Sequence, residues 1–146
     1  MEKVVAAAAE AGLNIEVREF PEGTRTADDA ARAIGVEVGQ IVKSLAFAVD
    51  GAIVMALVSG SNRLDEGALG GDVRRAKPDA VREATGFAIG GVPPFGHSAT
   101  LPTFVDRDLL AYDVVWAAAG TPHHVFAISP DDLVRLSDAT VADLKA

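Results

Sequence analysis

The 146-residue sequence contains no cysteine, so disulfides, thiol nucleophiles and cysteine-ligated zinc are all excluded. It also lacks any long hydrophobic run. Among the longest is AIVMALV (52–58), seven residues against the roughly 20 that a bilayer-spanning helix requires. The N-terminal stretch MEKVVAAAAEAG is apolar only from Val4 to Ala9 and is bracketed by Glu2 and Glu10, which suits an amphipathic helix better than a signal peptide. A cytoplasmic protein is expected. Positive charge is scarce too. Thirteen Lys and Arg against twenty-one Asp and Glu give a net charge of −8, which argues against a broad nucleic-acid-binding face. One segment runs the other way. RRAKPDAVR (74–82) carries four basic residues and one acid, a local +3 that leaves −11 elsewhere. It reads as a solvated face or as a small landing place for one end of a polyanion.

What is present fits one domain over residues 1–146, with no repeat, linker or low-complexity tract dividing it. A helix over Lys3–Ala11 ends at Gly12, and NIEVREF (14–20) alternates as a strand stopped by Pro21. Thr26, with Asp29 three residues on, caps a helix through Ile34 that Gly35 ends. The strongest local signal is IVKSLAFAV-DG-AIVMALVS. Asp50-Gly51 between two apolar runs predicts a two-residue turn, which sets Val49 opposite Ala52, Phe47 opposite Val54 and Lys43 opposite Val58. Both faces of that hairpin are largely apolar, so it should lie centrally, covered on each side. Short helices are expected over 64–69 and 78–85, strands over 103–106, 113–119 and 124–129, and a capped helix from Ser129-Pro130. Strands and helices intermix without a βαβ rhythm. The fold class is therefore α/β of the α+β type, a mixed, curved sheet with helices packed outside it.

Three features could carry chemistry. Lys43 is the lone charge in the paired region of the hairpin, where an ammonium either snorkels to water or meets an anionic ligand. GGVPPFGHS (90–98) joins a Gly-Gly pair, which permits close backbone approach, to two prolines that fix φ on successive residues. Such a loop is either a rigid turn or a pre-organised ligand cradle. Third, His123-His124 on a strand would point to opposite faces, and with His97 alone besides, a zinc site is not expected. No metal or cofactor is predicted, and neither GxGxxG nor GxxxxGK[ST] occurs.

Taken in order, ADDAARAIG, QIVKSLAF, GGVPPFGH, LPTFVD, WAAAGTPHHVFAISPDDLVRL and VADL resemble the YbaK/prolyl-tRNA synthetase insertion-domain family of aminoacyl-tRNA deacylases along nearly the whole chain. The resemblance implies a free-standing editing enzyme that hydrolyses the ester of a mischarged aminoacyl-tRNA, on a single α/β domain with a strongly curved sheet. By position, Lys43 matches the family's lysine beside the acceptor end. Gly90, Gly91, Pro93 and Pro94 match the GxxxP loop that positions the terminal adenosine, with Gly96 and His97 flanking it. Within GTPHH, Gly120 and His123 are the implied contributors to the aminoacyl pocket, His124 being the less secure. The implied partner is the acceptor end of an aminoacyl-tRNA, with no membrane involved; the acidic total charge is reconciled with it either by contact limited to that end and helped by the 74–82 cluster, or by a synthetase that supplies affinity. The chemistry needs no protein nucleophile, because an aminoacyl ester is already activated and placed water with oxyanion stabilisation suffices. The resemblance adds help from the neighbouring ribose hydroxyl. Two rival classes are a binding module of the same fold without activity, and a hydrolase or lyase of a small aminoacyl conjugate.

Overall fold

Asp50 and Gly51 both take positive φ, 50° and 86°, as a two-residue hairpin turn demands. They join β2 (Val42–Val49) to β3 (Ala52–Ser59) in the expected register, with Lys43 opposite Val58. A computed structural model describes residues 1–24 and 26–146. In it the hairpin forms the centre of a five-stranded sheet ordered β4-β2-β3-β5-β8, where β4 is Val73–Arg75, β5 Thr103–Asp106 and β8 Thr140–Ala142. The β3–β5 and β5–β8 pairings are parallel, the others antiparallel. A three-stranded antiparallel sheet, β1 (Val17–Glu19), β7 (His124–Ile128) and β6 (Val115–Ala118), meets the first at a parallel bridge between Ile41 and Trp116.

The hairpin is covered on both faces. Met55 and Leu57 enter the main core with Phe126, Leu109 and Leu133, while Ala56 and Val58 pack with Leu69 and Leu144 on the other side. Burying each of the larger of these side chains contributes about 1.5–3 kcal/mol. Among the described residues, four helices surround the sheets: α1 (Glu2–Glu10), α2 (Ala27–Ile34), α3 (Pro78–Thr85) and α4 (Pro130–Ser137). Their caps are those expected. Thr26 Oγ1 accepts from Asp29 N at 3.0 Å, Ser129 Oγ accepts from Asp132 N at 3.2 Å, and Gly35 closes α2 at φ 87°. The chain is a mixed α/β domain.

Three details differ from the sequence reading. Only Glu66–Leu69 is helical within 64–69, as a 3-10 turn, because Leu64 is bridged to Lys145 and Gly70 and Gly71 take positive φ. β1 is three residues long rather than seven. The edge strands β4 and β8 were not expected, since three residues cannot show an alternating pattern; pairing to β2 and β5 makes them strands.

Candidate functional site

A cavity of about 480 Å³ opens where the two sheets meet. Its size lies within the range of small-molecule clefts, roughly 300–1,000 Å³. The start of β2 contributes Lys43 and Ser44, α2 and the residues before it contribute Thr24, Thr26 and Asp28, and β6 contributes Trp116, Ala117 and Ala118. The loop after α3 supplies Ile89, Gly90 and Val92. The lining thus combines three hydroxyls, one carboxylate and one ammonium with aliphatic side chains and the indole of Trp116.

Lys43 is half-buried, and its ammonium donates to the Asn62 carbonyl at 2.5 Å. Burial pushes its pKa below the ordinary lysine value; Asp106 and Asp28 oppose that shift and Arg63 adds to it. Asn62 is itself locked. Its side-chain amide donates to Asp106 Oδ2 at 2.9 Å and to Asp108 Oδ2 at 2.8 Å. Asp106, almost fully buried, also accepts from Ser59 N and Asp108 N. Lys43 thus rests on a rigid polar platform at the cavity wall. Ser44 Oγ lies in the same wall, buried and without a hydrogen-bond partner.

The glycine-proline loop is not a surface turn. Gly91 through Phe95 are all buried, and the Phe95 ring meets Phe126 edge-on with centroids 5.6 Å apart. What approaches Gly91 is the chain's own backbone. A Cβ there would lie 2.7 Å from Thr121 Cα and 2.9 Å from the Gly120 carbonyl oxygen. Gly96 lies against α1, near Lys3 and Val4. Of the loop residues singled out from the sequence, Gly90 borders the cavity; Gly91, Pro93, Pro94, Gly96 and His97 do not.

His97 braces the loop from within by donating from Nε2 to the Pro93 carbonyl at 2.6 Å. Burial lowers its pKa below 6.5, against the raising effect of that bond. The folded state therefore favours neutral His97. Its contribution is complete above pH 6.5 and is lost as pH falls from there through the lower folded value. Melting curves between pH 7.5 and 5 should show a steeper acid-side loss for the wild type than for His97→Gln, which keeps a donor but does not titrate. Parallel curves would refute the assignment.

The histidine pair also sits outside the cavity lining. His123 is exposed and donates from Nδ1 to the Phe20 carbonyl at 3.3 Å. His124, the first residue of β7, pairs with Glu19 through Nε2 at 3.1 Å and meets Thr121 Oγ1 through Nδ1 at 2.6 Å. Gly120, at φ 103°, faces Met1 and Phe87. These residues hold a second seam instead. Phe20 N donates to the His123 carbonyl, and Thr24 donates to the Pro122 carbonyl from both N and Oγ1, which fastens the 20–24 segment beside the cavity. Thr24, Asp28, Ser44 and Trp116 were not singled out from the sequence. Nothing local marks them, since tertiary contacts bring them together, among them the Thr24–Pro122 bonds and the Ile41–Trp116 bridge. Among the described residues no three His, Asp or Glu side chains are placed to hold a metal ion.

Residues 21–136 match the model of the aminoacyl-tRNA editing domain. The chain belongs to that family. The editing domain is 31% identical to the uncharacterized protein YwhH of Bacillus subtilis over 131 residues, which covers 86% of this chain and 83% of that one. It is 34% identical over 113 residues to a proline–tRNA ligase of Solidesulfovibrio magneticus, covering 73% of this chain but 19% of the ligase. The match thus spans about a fifth of the ligase. Among solved structures, a protein described as a candidate trans-editing enzyme for prolyl tRNA synthetase superposes with a TM-score of 0.93 at 51% identity, covering 99% of this chain and 96% of that one. This editing domain is a deacylase acting on aminoacyl-tRNA, on the fold that the resemblance implied. None of its helices is long and apolar enough to cross a membrane, among the described residues.

Proposed function

We propose that this editing domain acts in trans on tRNA mischarged by prolyl-tRNA synthetase, with the aminoacyl ester placed in the cavity beside Lys43. The observation that carries the reading is the setting of Lys43: a desolvated ammonium on a rigid carbonyl platform, in the wall of a cleft that Gly90 also borders. Such a charge is worth most where negative charge develops in a site shielded from water. Water adds to the ester carbonyl carbon, and the carbonyl oxygen gains charge that Lys43 stabilises. The ribose oxygen then leaves and takes up a proton, giving the free amino acid and a free terminal hydroxyl. Matches to prolyl-tRNA ligases and to a candidate trans-editing enzyme support the choice of tRNA.

In this reading the site residues divide by role. Lys43 and Gly90 touch the acceptor end. Gly91, Pro93, Pro94, Gly96, His97 and Gly120 hold the loop that presents Gly90, while His123 positions the segment bearing Thr24 through the seam with Phe20. The synthetase supplies affinity that a chain of net charge −8 lacks. Editing of this kind is needed because a hydrophobic charging pocket rejects a smaller or isosteric amino acid by only about 10–200-fold.

The test is a deacylation panel: proline-specific tRNA charged with proline, alanine or serine, and alanine on its own tRNA. Mischarged proline tRNA should be cleared well above the spontaneous rate, and correctly charged tRNA spared. A panel in which no member is hydrolysed above the spontaneous rate refutes the reading.

A further inference from the structure

Asp28 is the one carboxylate among the described residues that line the cavity, whose lining also carries one ammonium, that of Lys43. Asp28 and Asp29 both lie in the first turn of α2, where an acid favours the helix N-terminus. Their further contacts differ. The Asp29 carboxylate approaches Arg32 at 3.9 Å, whereas Asp28 enters no ion pair among the described residues and lines the cavity instead.

The place of Asp28 is fixed by its helix. Thr26 caps α2 at its start, and Ala30 and Ala31 are buried with Ile41, which leads into the strand bearing Lys43. The carboxylate is near enough to Lys43 to favour the charged lysine, yet the two form no ion pair, and the ammonium donates to the Asn62 carbonyl. Opposite charges thus border one cavity without closing on each other.

An aminoacyl ester carries an α-ammonium one carbon away from the carbonyl that water attacks. With that carbonyl beside Lys43, the α-ammonium comes close to a second cation, and in a cleft partly shielded from water the two repel. An anion near both offsets the repulsion, and Asp28 supplies it. An ammonium also has three N–H donors to satisfy. Besides the Asp28 oxygens the lining offers the hydroxyls of Thr24, Thr26 and Ser44, and Ser44 Oγ is buried with no partner of its own.

We propose that Asp28 holds the α-ammonium of the aminoacyl ester, so that the site takes esters with a free amino group and refuses those whose nitrogen is acylated. The inference rests on the acceptor-end reading above and names the group by which the substrate class is recognised. Acylation removes the positive charge and two of the three donors, and it adds a carbonyl oxygen that a carboxylate repels. A peptidyl ester, whose amino group is already in a peptide bond, falls in the refused class.

The probes are 3′-deoxyadenosine bearing a 3′-alanylamino group, in which an amide replaces the labile ester, and its N-acetyl derivative. Both are bound by calorimetry to wild type, Asp28→Asn and Asp28→Glu, each variant checked by its melting temperature. Wild type should prefer the free amine by about tenfold, the scale of one charge-assisted contact. Asp28→Asn should bring that preference to within about twofold, and Asp28→Glu should retain part of it. Proline tRNA carrying alanine with a free or an acetylated nitrogen gives the kinetic counterpart. Its kcat/KM, divided by the spontaneous rate of each ester, should favour the free amine in wild type and lose that preference in Asp28→Asn. A purely helix-stabilising Asp28 would lower Tm on substitution and leave both preferences intact. Binding of neither analogue to wild type, equal binding of the two, or a preference that survives Asp28→Asn overturns the proposal. Should wild type deacylate none of the tRNA panel yet show a preference that Asp28→Asn removes, the proposed function fails and the ammonium seat stands.

Discussion

Lys43→Ala is expected to lower single-turnover deacylation by about 10²–10³-fold, the usual loss when one preorganised donor to a developing oxyanion is removed. Its fold should survive. Burial disfavours the charged form of Lys43, so removing the ammonium takes away a desolvation cost along with one hydrogen bond to the Asn62 carbonyl. The Asn62–Asp106–Asp108 network that shapes the platform does not pass through Lys43. Melting temperature should therefore change little while activity collapses. Turnover near wild type in a folded Lys43→Ala protein would remove the central element of the proposed mechanism.

The pH profile separates two roles for the same side chain. As a charged clamp, Lys43 must be protonated, and its pKa lies below the ordinary 10.5. Activity, corrected for spontaneous ester hydrolysis, should then fall as pH rises through that lowered value. A neutral lysine acting as base gives the opposite limb, with activity rising over the same range. Lys43→Arg should lose the limb altogether, because guanidinium does not titrate there.

Gly91→Val is the second large effect. Gly91 is not among the positive-φ glycines, so the difficulty is space rather than backbone strain. Both nearest neighbours of an added Cβ, Thr121 Cα at 2.7 Å and the Gly120 carbonyl oxygen at 2.9 Å, belong to the main chain and cannot rotate away. Retreat is also blocked on the loop's own side. Val92 and Phe95 are buried in the main core, and a Cβ on Gly120 would already meet Met1 N and Phe87. Overpacking of this kind costs about 1–3 kcal/mol, a loss of roughly 3–10 °C in Tm for a domain of this size. Displacing the loop moves Ile89, Gly90 and Val92 at the cavity wall, so deacylation by the folded fraction should fall at least about tenfold. Gly90→Ala is the contrast. Its Cβ meets only Pro122 Cγ at 3.9 Å, and φ of 100° makes the cost one of strain. A Gly91→Val protein that melts and deacylates like wild type would show that the loop does not press on the 120–121 backbone.

Much of the framework is local, and the sequence by itself determined it. The Asp50-Gly51 turn defines a register because two residues of positive φ leave one way to close the hairpin, and that register put Lys43 opposite Val58. Thr26, Gly35 and Ser129-Pro130 determine helix ends by hydrogen bonds made within a few residues. The ordered motifs were enough to indicate the family and, with it, Lys43 and the loop. Tertiary structure decided the rest. Whether Gly91 opens space for a ligand or for the chain's own backbone depends on residues thirty positions away, and Thr121 occupies that space. Ser44, Trp116 and Asp28 share one cavity because folding brings β2, β6 and α2 together, with Ile41 bridged to Trp116 and both packed with α2. Capping and turn formation are settled by neighbours in sequence, whereas desolvation and charge pairing are settled by whatever folding brings near.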